Sequence, residues 1–288
     1  MNIKSYIPWH TKIVAKMILS RLPFDYWVWS KLDLFKHGQM EKPKYAYDTF
    51  RHHFNKFEFS GKRKNFTVLE LGPGDSLFSA LIAYAHGATS SYLVDIGRFA
   101  KNDLKSYIRM IEYLKDQDSA LDIPNRFDSV EGLLAFCHAR YEINGLESIR
   151  NIPNETIDFI WSQAVLEHVR FGDFEKMMRE LRRILKSDGV CSHVVDLKDH
   201  LSGALNNLRF NRKLWESDFM TRSGFYTNRL RYSEMLKIFS NSGFSVQVDN
   251  VQRYPLLPTP RSAMAEEFRN LPDEELLIAG FEITLRPN

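Results

Sequence analysis

From residue 66 onwards, short apolar segments with strand character alternate with segments of helical periodicity, and this alternation is the feature that most constrains the fold. The first apolar segment, at residues 66–71, ends at two glycines, and a helical pattern follows as far as Gly87. Further strand-like segments lie at residues 91–95, 157–161, 190–197, 244–251 and 276–285. Strands separated by helices of this length predict an α/β fold, with a parallel sheet covered on both faces.

Composition excludes several other classes of protein. The 288 residues are 44% apolar and 26% charged, which is typical of a globular chain. The two cysteines, Cys137 and Cys191, are too few for a disulfide scaffold or a zinc finger and fit a reducing compartment. No apolar run is long enough to span a membrane. Residues 13–19 are apolar but carry Lys16, so we do not expect a signal peptide, and we predict a cytoplasmic protein.

Positive charge is concentrated at the N-terminus. Residues 1–65 hold 13 Lys and Arg against 5 Asp and Glu, although the whole chain carries a net charge of only +3. We predict a helical N-terminal extension or lid at residues 1–60, and a ligand-binding domain at residues 61–288. The basic extension either forms an ordinary solvated face or contacts an anionic partner, such as a membrane surface on which the protein lies peripherally.

The loop after the first strand predicts a ligand site. In the segment 70–76, Glu-Leu-Gly-Pro-Gly-Asp-Ser, the glycines allow a ligand to approach the backbone. A P-loop would need Gly-Lys-Ser/Thr here, and a dinucleotide-binding loop would need glycine where Leu77 stands. Asp95 ends the next strand, 21 residues after Gly74. This combination favours a ligand with an adenosine ribose and no pyrophosphate, because a carboxylate can accept hydrogen bonds from both ribose hydroxyls.

Four blocks of sequence resemble the class I S-adenosylmethionine-dependent methyltransferases. The blocks are residues 68–75, 92–95, 157–169 and 181–189, and the last two resemble the type 11 subgroup. Each block falls on the strand or turn expected for it, and together they cover about residues 66–197. The resemblance implies a Rossmann-like, seven-stranded, mostly parallel sheet with helices on both faces, and S-adenosyl-L-methionine as cofactor.

The resemblance also implies roles for individual residues. The implied cofactor-binding set is Glu70, Gly72, Pro73, Gly74, Asp75, Asp95, Asn144, Ser162 and Gln163. Within it, Glu70 and the glycine loop would face the methionine part, and Asp95 would hold the ribose. Ser162 and Gln163 would line the cofactor near its sulfonium, and Asn144 is the best match for the adenine contact. Taken singly, Glu70 could equally tether the loop, and Asp95 could bind backbone amides.

The segment after the strand at 190–197 is too long for a simple connection. We predict that residues 198–232 form a substrate-binding insertion. Its arginines, amides and aromatic residues suit a polar, anionic or sugar-like substrate. The candidate substrate contacts are Arg209, Tyr226, Asn228 and Arg229. The alternative is an insertion that only packs against the N-terminal helices.

Histidines and aspartates cluster at the start of this insertion. His193 and Asp196 should point to opposite faces of their strand, so we expect no metal centre there. A general base for a hydroxyl or an amine is the better interpretation, with His200 or Asp199 best placed at the end of the strand. His168, on the preceding block, is expected to be structural.

The sequence therefore predicts an enzyme that transfers a methyl group to oxygen or nitrogen of a small molecule or a saccharide precursor. The alternative is a non-catalytic module that binds S-adenosylmethionine or S-adenosylhomocysteine and acts through a partner protein. A nucleic-acid substrate is disfavoured, because residues 162–165, Ser-Gln-Ala-Val, replace the Asn/Asp-Pro-Pro-Tyr/Phe motif typical of base amino-methylation.

Overall fold

The computed structural model describes residues 10, 11, 13, 39–58, 61, 64–118 and 120–288. Most of the predicted N-terminal extension, with its suggested lid and membrane contact, therefore lies outside the described residues. Among those that are described, no helix has the length and apolar character needed to cross a membrane.

Seven strands alternate with helices along the described chain. The strands are β1 (Phe66–Leu71), β2 (Ala88–Val94), β3 (Ala139–Glu142), β4 (Ile157–Gln163), β5 (Leu185–Asp196), β6 (Phe244–Arg253) and β7 (Ile278–Pro287). The longer helices are α1 (Pro43–Glu58), α2 (Phe78–Ala85), α3 (Leu104–Gln117), α4 (Val130–Phe136), α5 (Leu146–Arg150), α6 (Phe171–Ile184) and α9 (Tyr232–Asn241). Helices of four residues are α7 (Arg212–Trp215), α8 (Asp218–Thr221), α10 (Glu266–Arg269) and α11 (Asp273–Leu276).

The strands form one sheet in the order β3-β2-β1-β4-β5-β7-β6. The pairs β1–β2, β1–β4, β2–β3 and β4–β5 are parallel, whereas β7 runs antiparallel to both β5 and β6. This confirms the predicted Rossmann-like, seven-stranded, mostly parallel sheet. The chain leaves β1 in one direction through β2 and β3, and then returns to β4 on the other side of β1. Ligands bind at such a reversal point, beyond the carboxyl ends of the strands.

Alternating side chains of the central strands feed two cores. Phe159 and Trp161 of β4 belong to the core under α1–α4, and Ile160 between them belongs to the core under α5, α6 and α9. α1 contributes three buried phenylalanines to the first core, of which Phe57 stacks on Phe159 with ring centroids 5.3 Å apart. Burial of one such ring is worth about 1.5–3 kcal/mol, so α1 is a substantial part of the covering layer.

Two strands differ from the sequence-based prediction. β3 was not predicted, because it has only four residues and Arg140 and Glu142 give it no apolar run. β5 begins at Leu185 rather than at residue 190, and pairs with β4 through a register shift. Asp188 and Gly189 lie within this irregularity, where a Cβ on Gly189 would meet Leu185 Cδ1 at 2.7 Å.

Candidate functional site

The loop between β1 and α2 has the backbone geometry that its glycines predict. Gly72 and Gly74 both have φ of +65°, which side-chain-bearing residues rarely adopt. The Gly72 amide donates to Val94 O at 2.8 Å, so the loop is attached to the end of β2. A Cβ on Gly72 would lie 2.6 Å from Val165 Cγ2, in the turn after β4. The loop thus contacts the carboxyl ends of β2 and β4, the two strands that flank β1. Pro73 lies between the two glycines, and Asp75 after them is buried.

Asp95 lies at the mouth of this loop, directly after β2. Its carboxylate accepts a hydrogen bond from Gly74 N at 3.2 Å and one from Ile96 N at 2.7 Å. Both sequence-based interpretations are therefore compatible with its position: it binds backbone amides, and it stands where a ribose beside the loop would be. The two amide bonds fix the direction of the carboxylate.

Glu70 lies beneath the loop, on β1. Its side chain is buried and accepts a hydrogen bond from the Ser79 hydroxyl of α2. Burial raises the pKa of the Glu70 carboxyl to about 8, the Ser79 hydrogen bond opposes that increase, and the nearby charge of Asp95 adds to it. A carboxyl group with this pKa changes its charge near neutral pH, so a cationic ligand group nearby would favour its ionised form.

A third wall of the site comes from β3. Asn144 follows this strand, and the next amide, Gly145 N, donates to Asp95 O at 2.8 Å. Ile96 lies against Gly145 and is 80% exposed, so it presents an apolar surface beside Asp95. Ile96 was not among the residues predicted for the site, although an apolar residue directly after a strand-end acid was visible in the sequence.

Ser162 and Gln163, at the end of β4, are engaged within the protein. Ser162 is fully buried, and its Oγ lies 2.8 Å from His193 Nδ1 on β5. His53 Nε2 of α1 donates to Gln163 Oε1 at 3.0 Å, and His53 Nδ1 then accepts from Ser192 Oγ at 2.8 Å. Ser162 therefore has its partner inside the protein, whereas Gln163 is only partly buried and uses its Oε1 alone in this network.

Both histidines in this network are neutral. Burial lowers the pKa of His53 and of His193 to about 3, because a charged imidazole in the interior would lose its hydration. His53 lies in the helical segment that sequence analysis assigned to the extension, and its role could not be predicted because its partners are on β4 and β5.

Asp199, one of the two predicted general bases, organises the start of the insertion. Its carboxylate accepts hydrogen bonds from the amides of Leu201, Ser202, Gly203 and Asn206, at 2.6–3.0 Å. Asn206 Nδ2 adds a fifth bond at 3.0 Å. His200, the other predicted base, follows immediately and lies beyond the carboxyl end of β5.

The predicted substrate contacts are all hydrogen-bonded within the insertion or to its neighbours. The Arg229 side chain is 2% exposed, donates to Phe210 O at 2.5 Å and lies over the rings of Trp215 and Phe268. Tyr226 donates from its hydroxyl to Glu216 Oε2 at 2.7 Å.

The other two predicted contacts also have partners. Asn228 Nδ2 donates to Leu166 O at 2.9 Å and to Val169 O at 3.0 Å. Arg209 Nε donates to Asn206 Oδ1 at 2.8 Å. The insertion is therefore held by its own polar side chains, and Arg209 is the more exposed of its two predicted arginines.

A family model described as a methyltransferase domain matches residues 41–247. Among solved structures, the YcgJ protein from Bacillus subtilis is 16% identical, with 83% of this chain and 99% of that chain covered and a TM-score of 0.45. A putative S-adenosylmethionine-dependent methyltransferase from Listeria monocytogenes is 17% identical, with 83% and 98% covered and a TM-score of 0.44.

A third solved structure is phosphoethanolamine N-methyltransferase 2 from Haemonchus contortus, in complex with phosphomonomethylethanolamine and S-adenosylhomocysteine. It is 12% identical, with 84% of this chain and 53% of that chain covered and a TM-score of 0.46. No curated protein sequence matches the chain.

Proposed function

Because the chain belongs to the methyltransferase-domain family, as a class I, type 11-like enzyme that uses S-adenosylmethionine, we propose that its acceptor is a hydroxyl or amino group of a small molecule or a saccharide precursor. The reaction would form a bond from the acceptor oxygen or nitrogen to the methyl carbon. The bond from that carbon to the sulfonium sulfur would break, and S-adenosylhomocysteine would leave. The cofactor supplies the activated methyl group, and the protein supplies alignment and exclusion of water.

The residues at the site fit this cofactor. The observation that carries the proposal is the position of Asp95, whose carboxylate is held between the Gly74 amide of the loop and the exposed Ile96. A ribose that bonds to Asp95 would place its adenine ring on the Ile96 side chain, beside Asn144. The exposed Ile96 side chain would offer the adenine ring an apolar surface.

The methionine part would then extend across the glycine loop towards Glu70. Gly72 and Gly74 present backbone without side chains, so the ligand can approach the loop closely. The ligand ammonium would interact with the ionised Glu70 carboxylate. Ser162, whose hydroxyl is buried against His193, is proposed to act here through the position of β4. The partly exposed Gln163 is proposed to face the cofactor near its sulfonium.

We place the acceptor at the insertion, residues 198–232, which begins at the end of β5, at the same edge of the sheet as the ends of β1 and β4. His200 is the stronger of the two predicted general bases, because the Asp199 carboxylate already accepts from six donors of its own loop, among them Ser202 Oγ at 3.4 Å. Among the predicted substrate contacts, Arg209 is the one we expect to meet an anionic or sugar-like acceptor. Tyr226, Asn228 and Arg229 would shape the insertion from within.

Calorimetric titration with S-adenosylhomocysteine tests the proposed cofactor site. We expect saturable binding to the wild-type protein and at least tenfold weaker binding to Asp95→Asn. Asp116→Asn, on the exposed surface of α3, is the matched control and should bind like wild type. Equal affinity of folded Asp95→Asn and wild type, or tighter binding of NAD than of S-adenosylhomocysteine, would refute the assignment.

A further inference from the structure

Three potential metal ligands meet beside the proposed acceptor site, and the proposed function uses only one of them. Glu167 and His168 lie in the 3-10 turn Leu166–His168 after β4, and His200 follows β5. β4 and β5 are parallel neighbours, so their carboxyl ends lie at the same edge of the sheet. One ligand atom from each of the three residues can be chosen such that all lie within 4.8 Å of one another.

The ring of His168 is oriented as in a metal-binding histidine. Its Nδ1 lies 2.9 Å from Tyr226 O, and a carbonyl oxygen can only accept, so Nδ1 carries the hydrogen. The lone pair of the neutral ring is therefore on Nε2. A hydrogen bond from the other ring nitrogen to a backbone carbonyl is the usual outer contact that fixes the tautomer of a metal-binding histidine. The His200 ring lies edge-on to this ring, with centroids 4.7 Å apart.

Glu167 has a buried carboxyl group for which the described residues provide no hydrogen-bond donor in ordinary geometry. Its side chain is 1% exposed, and neither oxygen has a hydrogen-bond partner of ordinary geometry. The amides of Glu167 and Asp196 are close but do not reach it in that geometry. Within the described residues, no lysine or arginine forms an ion pair with it either. An unpaired buried carboxylate is costly, and buried charges are normally paired or coordinate a metal.

The turn that carries two of these ligands is held in place by the insertion. Asn228 N donates to Glu167 O at 2.7 Å, and Asn228 Nδ2 donates to the carbonyls of Leu166 and Val169. The Glu167 and His168 backbones are thus fixed on both sides, and Tyr226 fixes the His168 ring. Preorganised ligands and an ordered outer shell are what distinguish a metal site from a chance cluster.

We propose that Glu167, His168 and His200 bind a divalent transition-metal ion such as Zn²⁺ or Mn²⁺. Two imidazoles with one carboxylate suit such ions, whereas Mg²⁺ and Ca²⁺ prefer oxygen ligands. Ligand distances of about 2.0–2.2 Å to the metal place donor atoms roughly 3.3–3.6 Å apart in a tetrahedral site. A pair of donors at the 4.8 Å limit would therefore have to close by more than about 1 Å when the metal binds. This set differs from the cluster considered on sequence grounds, which consisted of His193, Asp196, Asp199 and His200 and was expected to hold no metal. It also gives His168 a ligand role in place of the structural role expected for it.

Three protein ligands leave coordination positions open, which is typical of a catalytic rather than a structural site. Val165, two residues before Glu167, contacts the glycine loop at Gly72, so the open positions lie near the cofactor loop. This part of the inference rests on the proposed function and replaces one role in it: His200, with its lone pair on the metal, would not act as the general base. A hydroxyl oxygen of the acceptor would bind the metal, which lowers the pKa of that hydroxyl, and the proton would pass to solvent water before the oxygen attacks the methyl carbon. The metal site therefore favours oxygen over nitrogen as the methylated atom.

The test uses the full chain with any purification tag removed and with bound metal stripped by a chelator. Titration with Co²⁺ alone, followed by its visible absorption bands, should show one saturable site from which one equivalent of Zn²⁺ displaces Co²⁺. Glu167→Gln and His200→Gln should bind Co²⁺ at least tenfold more weakly and change the spectrum. His138→Asn, an exposed histidine distant in sequence from the cluster, should behave like wild type.

Thermal unfolding of each variant verifies that it is folded. Non-saturable Co²⁺ binding to wild type, or unchanged affinity and spectrum in both cluster variants, would overturn the metal site. A parallel titration with S-adenosylhomocysteine separates the two proposals. Co²⁺ binding without S-adenosylhomocysteine binding would support the metal site and refute the proposed function, and the reverse result would refute the metal site alone.

Discussion

At the scale of single residues, the chemistry of the site is dominated by carboxyl groups whose surroundings differ. Asp95 is anchored by two backbone amides, whereas Glu70 is buried beneath the loop and its pKa is raised to about 8. A raised carboxyl pKa destabilises the folded state at any pH above the ordinary pKa of the group. At such a pH the unfolded chain carries a hydrated carboxylate, whereas the folded protein must either bury the charge or bind a proton. The buried Glu70 carboxyl therefore lowers the stability of the folded protein, at a position where its carboxylate can bind a cationic group of the ligand.

Glu70→Gln should separate these two effects. Because the folded pKa is raised, the stability penalty grows as pH rises from about 4.5 towards 8, and a neutral amide removes it. We expect the free energy of unfolding of the variant to exceed that of wild type by roughly 1–3 kcal/mol at pH 8, and by much less at pH 5. Affinity for S-adenosylhomocysteine should fall about 10–100-fold, since a charge-assisted hydrogen bond is lost. Denaturant titrations at both pH values and calorimetry measure the two quantities; unchanged affinity would remove Glu70 from the site.

Gly72 combines a positive φ with a close contact, and Gly72→Ala should be more damaging than an ordinary glycine substitution. The new Cβ would meet Val165 Cγ2 at 2.6 Å. We expect a loss of roughly 2–4 kcal/mol in the free energy of unfolding, from strained backbone and overpacking together. Gly203→Ala is the control: its φ of +73° is similar, and nothing lies within 4 Å of its Cβ position. Equal losses in the two variants would show that the contact with Val165 contributes nothing.

At the scale of elements, α1 is joined to the sheet by buried neutral histidines as well as by aromatic rings. Burial lowers the pKa of His53 and His193 to about 3, below the ordinary value of 6.5. When burial lowers the pKa of a histidine in the folded state, its contribution to the free energy of unfolding is complete above pH 6.5. As pH falls from 6.5 towards the folded-state pKa, the unfolded state binds a proton that the folded state does not, and this contribution is lost. Each of the two therefore adds up to about 1.4 kcal/mol per pH unit to the acid sensitivity of the protein.

His53→Gln should accordingly flatten the dependence of stability on pH. Between pH 6.5 and 4.5 the slope of the free energy of unfolding should decrease by about 1 kcal/mol per pH unit relative to wild type. The variant should be less stable than wild type at pH 7.5, because the bonds to Gln163 and Ser192 are disturbed. His138→Asn, on the exposed surface, should leave the slope unchanged. Denaturant titrations at intervals of half a pH unit measure this slope. A slope in His53→Gln equal to that of wild type would contradict the prediction.

The insertion depends on the buried guanidinium of Arg229. Glu216 and Glu267 lie 3.9 and 3.8 Å from its Nη2, and its Nη1 donates to Phe210 O. Arg229→Met would remove the cation beside the Glu216 and Glu267 carboxylates and a donor to the Phe210 carbonyl, so we expect a loss of about 3 kcal/mol or faster proteolysis within residues 198–232. Arg209→Met, a more exposed arginine of the same insertion, should leave proteolysis unchanged. Equal protection of the insertion in Arg229→Met and wild type would show that the charge is not needed for its structure.

At the scale of the whole molecule, the parts that could be predicted from sequence are those set by local patterns. The glycine loop, the acid after β2 and the order of strands and helices follow from short segments, and the seven-stranded sheet confirms them. Pairings across strands could not be predicted, because they depend on register. The Ser162–His193 bond requires the shifted register of β4 and β5, and His53 reaches both strands from a distant helix. The Glu167–His168–His200 cluster was missed for the same reason.

Ligand binding should stabilise the molecule as a unit, because the proposed cofactor residues come from the ends of β1, β2 and β3. Binding to the folded state alone adds about 2.7 kcal/mol at a ligand concentration 100 times the dissociation constant. For a chain of this size we expect S-adenosylhomocysteine to raise Tm by roughly 5 °C. Ile96→Ser should weaken binding of S-adenosylhomocysteine and reduce this shift without lowering the Tm of the free protein, since Ile96 is already exposed. Scanning calorimetry with and without ligand measures both, and a full shift in Ile96→Ser would show that the adenine does not lie on this side chain.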